Sequence, residues 1–275
     1  MAITGTGTQA DPYVVTTYAE LVEKAAESGK YVKIGNDINI TDEYPDGDMP
    51  MLTLANHIDG DGKIIANWYK TTGSDYLIQV NSGGQVENLK FRNIYNTYAS
   101  YEFRFTGANS NYHFINCEFS GIHGYTGGMF MSAPSSSGSK NNFKSCSFNI
   151  KVNSAYGFAN GSEAYAGLKD CYLKIQLPAN NNGIFGSMNS SSFSGTFVDS
   201  CYIESNAKIG SDIIKNSVCD ITTNATFTLD GDSTNLSIFN KTHAPNVTAG
   251  SGFAAVTDEN WLDVSYLNSI GFNAG

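Results

Sequence analysis

The sequence predicts an all-β fold: a single-stranded right-handed parallel β-helix (solenoid) with an N-terminal capping helix and a short C-terminal helical cap. Three observations carry the prediction. Four of the five cysteines recur in one frame, clusters of Gly, Ser and Asn punctuate the intervals between them, and no helical apolar period is sustained through the middle of the chain.

The frame is apolar-x-x-Cys-x-apolar. It reads Phe114-Ile-Asn-Cys117-Glu-Phe119, Phe143-Lys-Ser-Cys146-Ser-Phe148, Leu168-Lys-Asp-Cys171-Tyr-Leu173 and Val198-Asp-Ser-Cys201-Tyr-Ile203. Val86-Glu-Asn-Leu89-Lys-Phe91 fits with Leu in the Cys place, and Ile214-x-x-Ser217-x-Cys219 is a weaker sixth row. All eight flanks of the four Cys rows are apolar, which at the 41% hydrophobic background has a chance of about one in a thousand. Successive frames lie 28, 29, 25 and 30 residues apart, as when loops of variable length interrupt a repeated coil.

Within the frame, Cys and the apolar residue two places on share a strand face, whereas the apolar residue three places before Cys has the wrong parity. The chain must therefore bend between them, so the frame is a corner. Cys117, Cys146, Cys171 and Cys201 are expected to stack as an interior ladder of small buried hydrophobes, in preference to metal binding or redox chemistry. Leu89, Phe91, Phe119, Phe148, Leu173 and Ile203 extend that ladder. The polar column before it (Asn88, Asn116, Ser145, Asp170, Ser200) is expected to face outward or hydrogen-bond at the corner. The clusters at 81–84, 135–138, 180–183 and 190–192 are read as loops.

Exposed terminal strands invite aggregation, so both ends should be covered. Thr17-Tyr-Ala-Glu20 is a capping box that opens a helix over Tyr18–Ser28, with Leu21, Val22 and Ala25 as its apolar stripe and Gly29 as its stop. At the other end Thr257 caps a short turn through Trp261, and Val264–Ile270, stopped by Gly271, offers Val264, Leu267 and Ile270 for packing. The expected organisation is a cap at 1–30, a solenoid of about eight coils at 31–245 and a second cap at 246–275.

Composition narrows the function classes. Against 26 Asp+Glu stand 16 Lys+Arg, a formal charge of −10, and only Arg92 and Arg104 carry guanidinium, so nucleic acid is not an expected partner. No run approaches the ~20 apolar residues of a membrane span, and the opening residues lack the basic start and apolar stretch of a secretory signal. Five cysteines without a CxxC pair argue against a disulfide framework and a zinc ribbon. Asn39-Ile-Thr41 and Asn246-Val-Thr248 read as composition rather than glycosylation sites. No phosphate-binding glycine loop is present, and no cofactor is expected.

A polysaccharide lyase or hydrolase would need carboxylates gathered on adjacent coils. Asp59 and Asp61 are the catalytic candidates of that alternative, although Asp-Gly pairs more often mark turns. Asp42, Asp46 and Asp48 are weak metal candidates without EF-hand spacing. His57, His113, His123 and His243 share no ligand or triad spacing and are expected at surfaces or corners. The tyrosine-rich stretch Trp68, Tyr69, Tyr95, Tyr98 and Tyr101 offers a flat surface for sugar stacking or protein contact.

The opening Gly5-Thr-Gly-Thr-Gln-Ala-Asp-Pro-Tyr-Val14, the short helix after it, and Tyr31-Val-Lys-Ile-Gly-Asn-Asp-Ile38 resemble the start of pectate-lyase-like right-handed β-helix proteins of phages and gut bacteria. The ending Tyr266-Leu-Asn-Ser-Ile-Gly-Phe272 is similar to the tail of phage structural proteins of this kind. The resemblance implies a virion surface protein: a head fibre, capsid decoration or tail-spike component, expected to be non-enzymatic because no catalytic cluster is gathered and to be made in the host cytoplasm because no secretory signal is seen. It also implies a homotrimer that meets other virion proteins or a host-surface glycan. The alternatives are the carbohydrate-active enzyme and a bacterial surface adhesin.

Overall fold

The computed structural model describes residues 3–70, 76–96, 102–106, 112–123, 130–132, 142–152, 167–178, 184, 198–209, 214–231, 233–261 and 263–274. Among them the chain is a parallel β-solenoid, with two long sheets, a third sheet confined to residues 52–132 and two short helices. Sheet 1 has nine strands, sheet 2 ten and sheet 3 four, and every pairing between their strands is parallel. A coil passes from sheet 3 into sheet 1, turns a tight corner into sheet 2 and returns. One such coil uses Leu52–Leu54, His57–Asp59 and Ile64–Lys70; the next uses Ile78–Val80, Gln85–Glu87 and Lys90–Asn96. The loops read at 135–138, 180–183 and 190–192 lie outside the described residues. Residues 81–84 form the sheet 3 to sheet 1 turn, closed by Gly84 N donating to Asn81 O at 3.0 Å.

The corner between sheets 1 and 2 is the repeated frame. Six successive corner residues, Asn88, Asn116, Ser145, Asp170, Ser200 and Asn216, sit in the left-handed region with φ between +48° and +55°. That conformation costs an L-residue roughly 1–2 kcal/mol, least for Asn and Asp, which explains the polar column. It turns the chain so that the apolar residues on both sides of the corner point inward, resolving the parity conflict.

The cysteines complete the corner. Each thiol donates to the carbonyl two residues back: Cys117 to Ile115 O at 3.3 Å, Cys146 to Lys144 O at 3.3 Å, Cys171 to Lys169 O at 3.1 Å and Cys201 to Asp199 O at 3.3 Å. In the sixth row the Ser217 hydroxyl does the same to Lys215 O at 2.7 Å. The Cys place thus selects a small side chain with one donor; Leu89, which has none, opens the series. Cys219 sits one column further on, opposite Ile203, and burial raises its thiol pKa.

Inside, the columns pack face to face. Phe91, Phe119 and Phe148 stack with centroids 4.8 and 4.9 Å apart, and Phe114 lies 5.1 Å over Phe143. Leu173, Ile203, Cys219 and Phe239 continue the first column toward the C-terminus.

Trp68 departs from the expected surface. Asn67 and Asn93 are left-handed bulge residues (φ +63° and +53°) that shift strand parity by one. Trp68 therefore turns inward and is fully buried between Tyr18 and Phe91, its Nε1 donating to Ile65 O at 2.9 Å, while Tyr69 turns out.

The N-terminal helix spans Tyr18–Ala25, ending three residues short of the expected Ser28. Thr17 caps it by accepting from Glu20 N at 3.2 Å, but Glu20 reaches back to Thr16 N at 2.7 Å, one residue beyond a regular capping box. The Glu43 carboxylate takes two further end amides, Tyr18 N and Ala19 N, at 2.5 and 2.9 Å. Tyr18, Leu21 and Ala25 are buried, and Val22 is partly so. The C-terminal helix is Val264–Ser269, capped by Asp263, which accepts from Tyr266 N at 3.0 Å. Leu267 and Ile270 pack with Ile238, Val256 and Phe272, but Val264, in the first turn, is 49% exposed and does not contribute to that packing. The turn before the helix is closed by backbone bonds, including Asn260 N to Thr257 O at 3.0 Å.

The left-handed corner makes a side-chain prediction. Ser145 is exposed at φ +53°. Ser145→Gly should leave the denaturant midpoint unchanged or raise it, whereas Ser145→Val should lower stability by about 1–2 kcal/mol.

Candidate functional site

Two faces carry concentrations of polar side chains. The first lies on sheet 1 near the N-terminus, where outward positions of successive strands fall in register: Tyr31, His57 and Gln85 in one column, Lys33, Asp59 and Glu87 in the next. The His57 ring meets Gln85 Oε1 at 3.2 Å through Nδ1 and Glu87 Oε1 at 2.9 Å through Nε2, with the Tyr31 ring 5.2 Å away. Tyr31, Lys33, His57, Asp59 and Glu87, with Gln9 and Pro12, line a cleft of about 200 Å³.

Asp59 and Asp61, the pair singled out by the sequence, hold the turn beside this cleft. Asp59 Oδ1 accepts from Asp61 N at 2.9 Å and from Asn88 Nδ2 at 3.2 Å, while Asp61, at φ +50°, pairs with Lys33 at 3.1 Å. Gly60 between them has no room for a side chain, since a Cβ there would lie 2.5 Å from Asn88 O. Asp59 lines the cleft; Asp61 is not among its lining residues. His57 and Glu87, absent from the catalytic candidates, supply the closer acid–base pair. Their signal was present, because Ile58-Asp59 repeats Val86-Glu87 one coil earlier and places both acids in one outward column.

Asp42, Asp46 and Asp48 lie on the segment after the helix. Asp42 ends a one-turn helix (Ile40–Asp42) and accepts from Asn39 Nδ2 at 2.6 Å, Asp46 is exposed in the turn that follows, and Asp48 bridges to Lys70 through its backbone. Among the described residues no group of three or more His, Cys, Asp or Glu side chains converges to hold a metal ion.

The second face is the outside of sheet 2. Its charges pair along the ladder: Arg92 with Glu118, Lys90 with Glu118 at 3.8 Å, and Lys174 with Glu204 at 2.7 Å. The Tyr172 and Tyr202 rings stack 5.7 Å apart; Tyr172 OH donates to Glu204 at 2.8 Å and Tyr202 OH to Asp220 at 3.5 Å. Burial, then the neighbouring Asp220 charge, pushes the Tyr202 hydroxyl up to about 12. Two clefts of about 180 and 210 Å³ adjoin here, sharing Gln176 and Asn206. Tyr69 and Tyr95 also stack, 5.3 Å apart and 13° from parallel. Tyr98, Tyr101 and the side chain of His123 lie outside the described residues.

The remaining histidines differ sharply. His113 is fully buried, not at the surface; it donates from Nδ1 to Gly84 O at 2.7 Å, and desolvation lowers its pKa. His243 is exposed and donates from Nδ1 to Asp220 at 2.7 Å, with Asp258 at 3.8 Å from Nε2; the Asp220 hydrogen bond raises its pKa. This contact ties the C-terminal turn to sheet 2.

No family model matches the chain, and no curated protein or solved structure matches it.

The His243 contact has a defined pH signature. A folded pKa above the unfolded value of about 6.5 stabilises fully below that value, and the contribution fades as pH rises through the folded pKa. The thermal stability of the protein relative to His243→Asn should therefore be greater at pH 5.5 than at pH 8.5. An advantage that grows with pH would contradict the assignment.

Proposed function

We propose that this protein is a non-enzymatic β-solenoid displayed on the surface of a phage particle, as a head fibre, capsid decoration or tail-spike component. It assembles as a homotrimer and contacts other virion proteins or a host-surface glycan. The observation that supports it is the sheet 2 face, where stacked tyrosines and mutually paired Lys and Glu side chains run over several coils beside shallow polar clefts. Such a repeating face suits an extended ligand or a neighbouring subunit held by many weak contacts. The resemblance of both chain ends to phage β-helix proteins supports the location.

One observation favours the carbohydrate-active enzyme as a second reading. Glu87 and Asp59 occupy adjacent outward positions with His57 hydrogen-bonded between strands, an arrangement able to hold and transfer a proton.

The test separates the two. The purified protein is incubated with bacterial and plant polysaccharides, and new reducing ends and unsaturated products are measured while binding is followed in parallel. The proposal expects saturable binding or none, without turnover, and a trimer mass by light scattering. Turnover that is abolished by Asp59→Asn or His57→Ala in folded protein would overturn it in favour of the enzyme.

A further inference from the structure

The buried thiols form a second chemical feature, independent of either outer face. Cys117, Cys146, Cys171 and Cys201 occupy the same place in four successive coils and are 1–3% exposed. Their backbones are locked in register: Ser147 N donates to Cys117 O at 2.9 Å, Tyr172 N to Cys146 O at 3.0 Å and Tyr202 N to Cys171 O at 2.9 Å. The coils that carry these thiols therefore succeed one another at the layer spacing of ~4.8 Å, with the four cysteines in one interior column.

A soft closed-shell cation bound linearly by two thiolates needs its sulfurs about twice a metal–thiolate bond apart, or about 4.6 Å for bonds near 2.3 Å. The layer spacing of the solenoid is close to that span. We infer that the thiol ladder is a linear two-thiolate site for a soft, thiophilic cation, filled first between Cys171 and Cys201 and then between Cys117 and Cys146.

Three features of the site fit this chemistry. First, losing the thiol protons does not orphan the corner carbonyls, because each has a second donor: Lys169 O also accepts from Ser145 N at 3.0 Å, and Asp199 O from Asp170 N at 3.0 Å. Second, the thiols already interact along the column. The neighbouring Cys146 and Cys201 thiols lower the Cys171 pKa, while burial holds the Cys146 thiol up. Third, Cys201 is among the residues lining a cleft of about 540 Å³ with Ser200, Asn216 and Asn235, which makes this end of the ladder the one nearest solvent.

The binding step balances as an exchange. A divalent ion forms two metal–sulfur bonds, two S–H bonds break, and two protons leave to solvent; no electron is transferred. The product is uncharged, which suits a dry interior where a net charge is costly. A monovalent ion would leave one negative charge behind and should bind more weakly.

Mercuric ion is the probe. The reduced full-length protein is titrated with mercuric chloride while native mass, the near-ultraviolet thiolate-to-metal absorption and the free thiols left in denaturant are read. The inference expects at most two ions per chain, two thiols consumed per ion, Cys219 still free, and an unchanged circular dichroism spectrum. Two double variants with equal thiol number isolate adjacency. Cys117→Ser with Cys146→Ser keeps neighbouring Cys171 and Cys201 and should bind one ion. Cys146→Ser with Cys201→Ser leaves Cys117 and Cys171 separated by a layer and should bind at least tenfold more weakly. Serine keeps the corner hydrogen bond, as Ser217 does natively. Equal binding by the two variants overturns the inference. Should either variant not fold, the wild-type protein decides alone: two thiols consumed per ion uphold the site, whereas one thiol per ion, no uptake, or unfolding on metal addition rejects it.

Discussion

One left-handed residue per coil organises this molecule. At Asn88, Asn116, Ser145, Asp170, Ser200 and Asn216 the backbone takes a conformation that L-residues avoid, and in return the chain turns sharply enough to keep apolar side chains inward on both sides. The corner leaves a carbonyl that needs donors. Two arrive: the amide of the preceding coil's corner residue, such as Asn116 N to Lys144 O at 3.0 Å, and the thiol two residues on, such as Cys146 to the same oxygen at 3.3 Å. Because one of these donors comes from another coil, the local turn and the stacking of coils are the same interaction seen from two directions.

That coupling sets the rest of the packing. Once the corners are in register, residues three places after the left-handed position must superpose, which places Phe91, Phe119 and Phe148 ring over ring. It also aligns the outer positions, so that Asp59 falls beside Glu87 and Lys174 beside Glu204. The ends cannot be solved this way, since they have no neighbouring coil. They use nonrepeating devices: a helix clamped by Glu43 at one end, and at the other a short apolar cluster around Leu267 with a His243–Asp220 tie.

How far this could be read from the residues alone follows from whether a signal is repeated. The corner, the thiol column and its polar predecessor were legible because one coil's pattern recurs in the next. Trp68 was not, because the bulge at Asn67 reverses parity without leaving a mark in composition. The His57–Glu87 contact joins residues 30 positions apart and depends on coil register, which the cysteine frame implies but the N-terminal coils, lacking cysteine, conceal. Val264 illustrates a different limit: apolar spacing on a six-residue helix does not determine which side meets the core.

Successive corners hydrogen-bond in register, coil upon coil, and everything else in the fold follows from that. The most direct test of this register is the scalar coupling transmitted through hydrogen bonds in the magnetic resonance spectrum of isotope-labelled protein. Couplings from Tyr172 N to the Cys146 carbonyl and from Tyr202 N to the Cys171 carbonyl are expected together. Their absence, with either amide coupled to a different carbonyl or exchanging freely with solvent, would contradict the stacked corner and the architecture built on it.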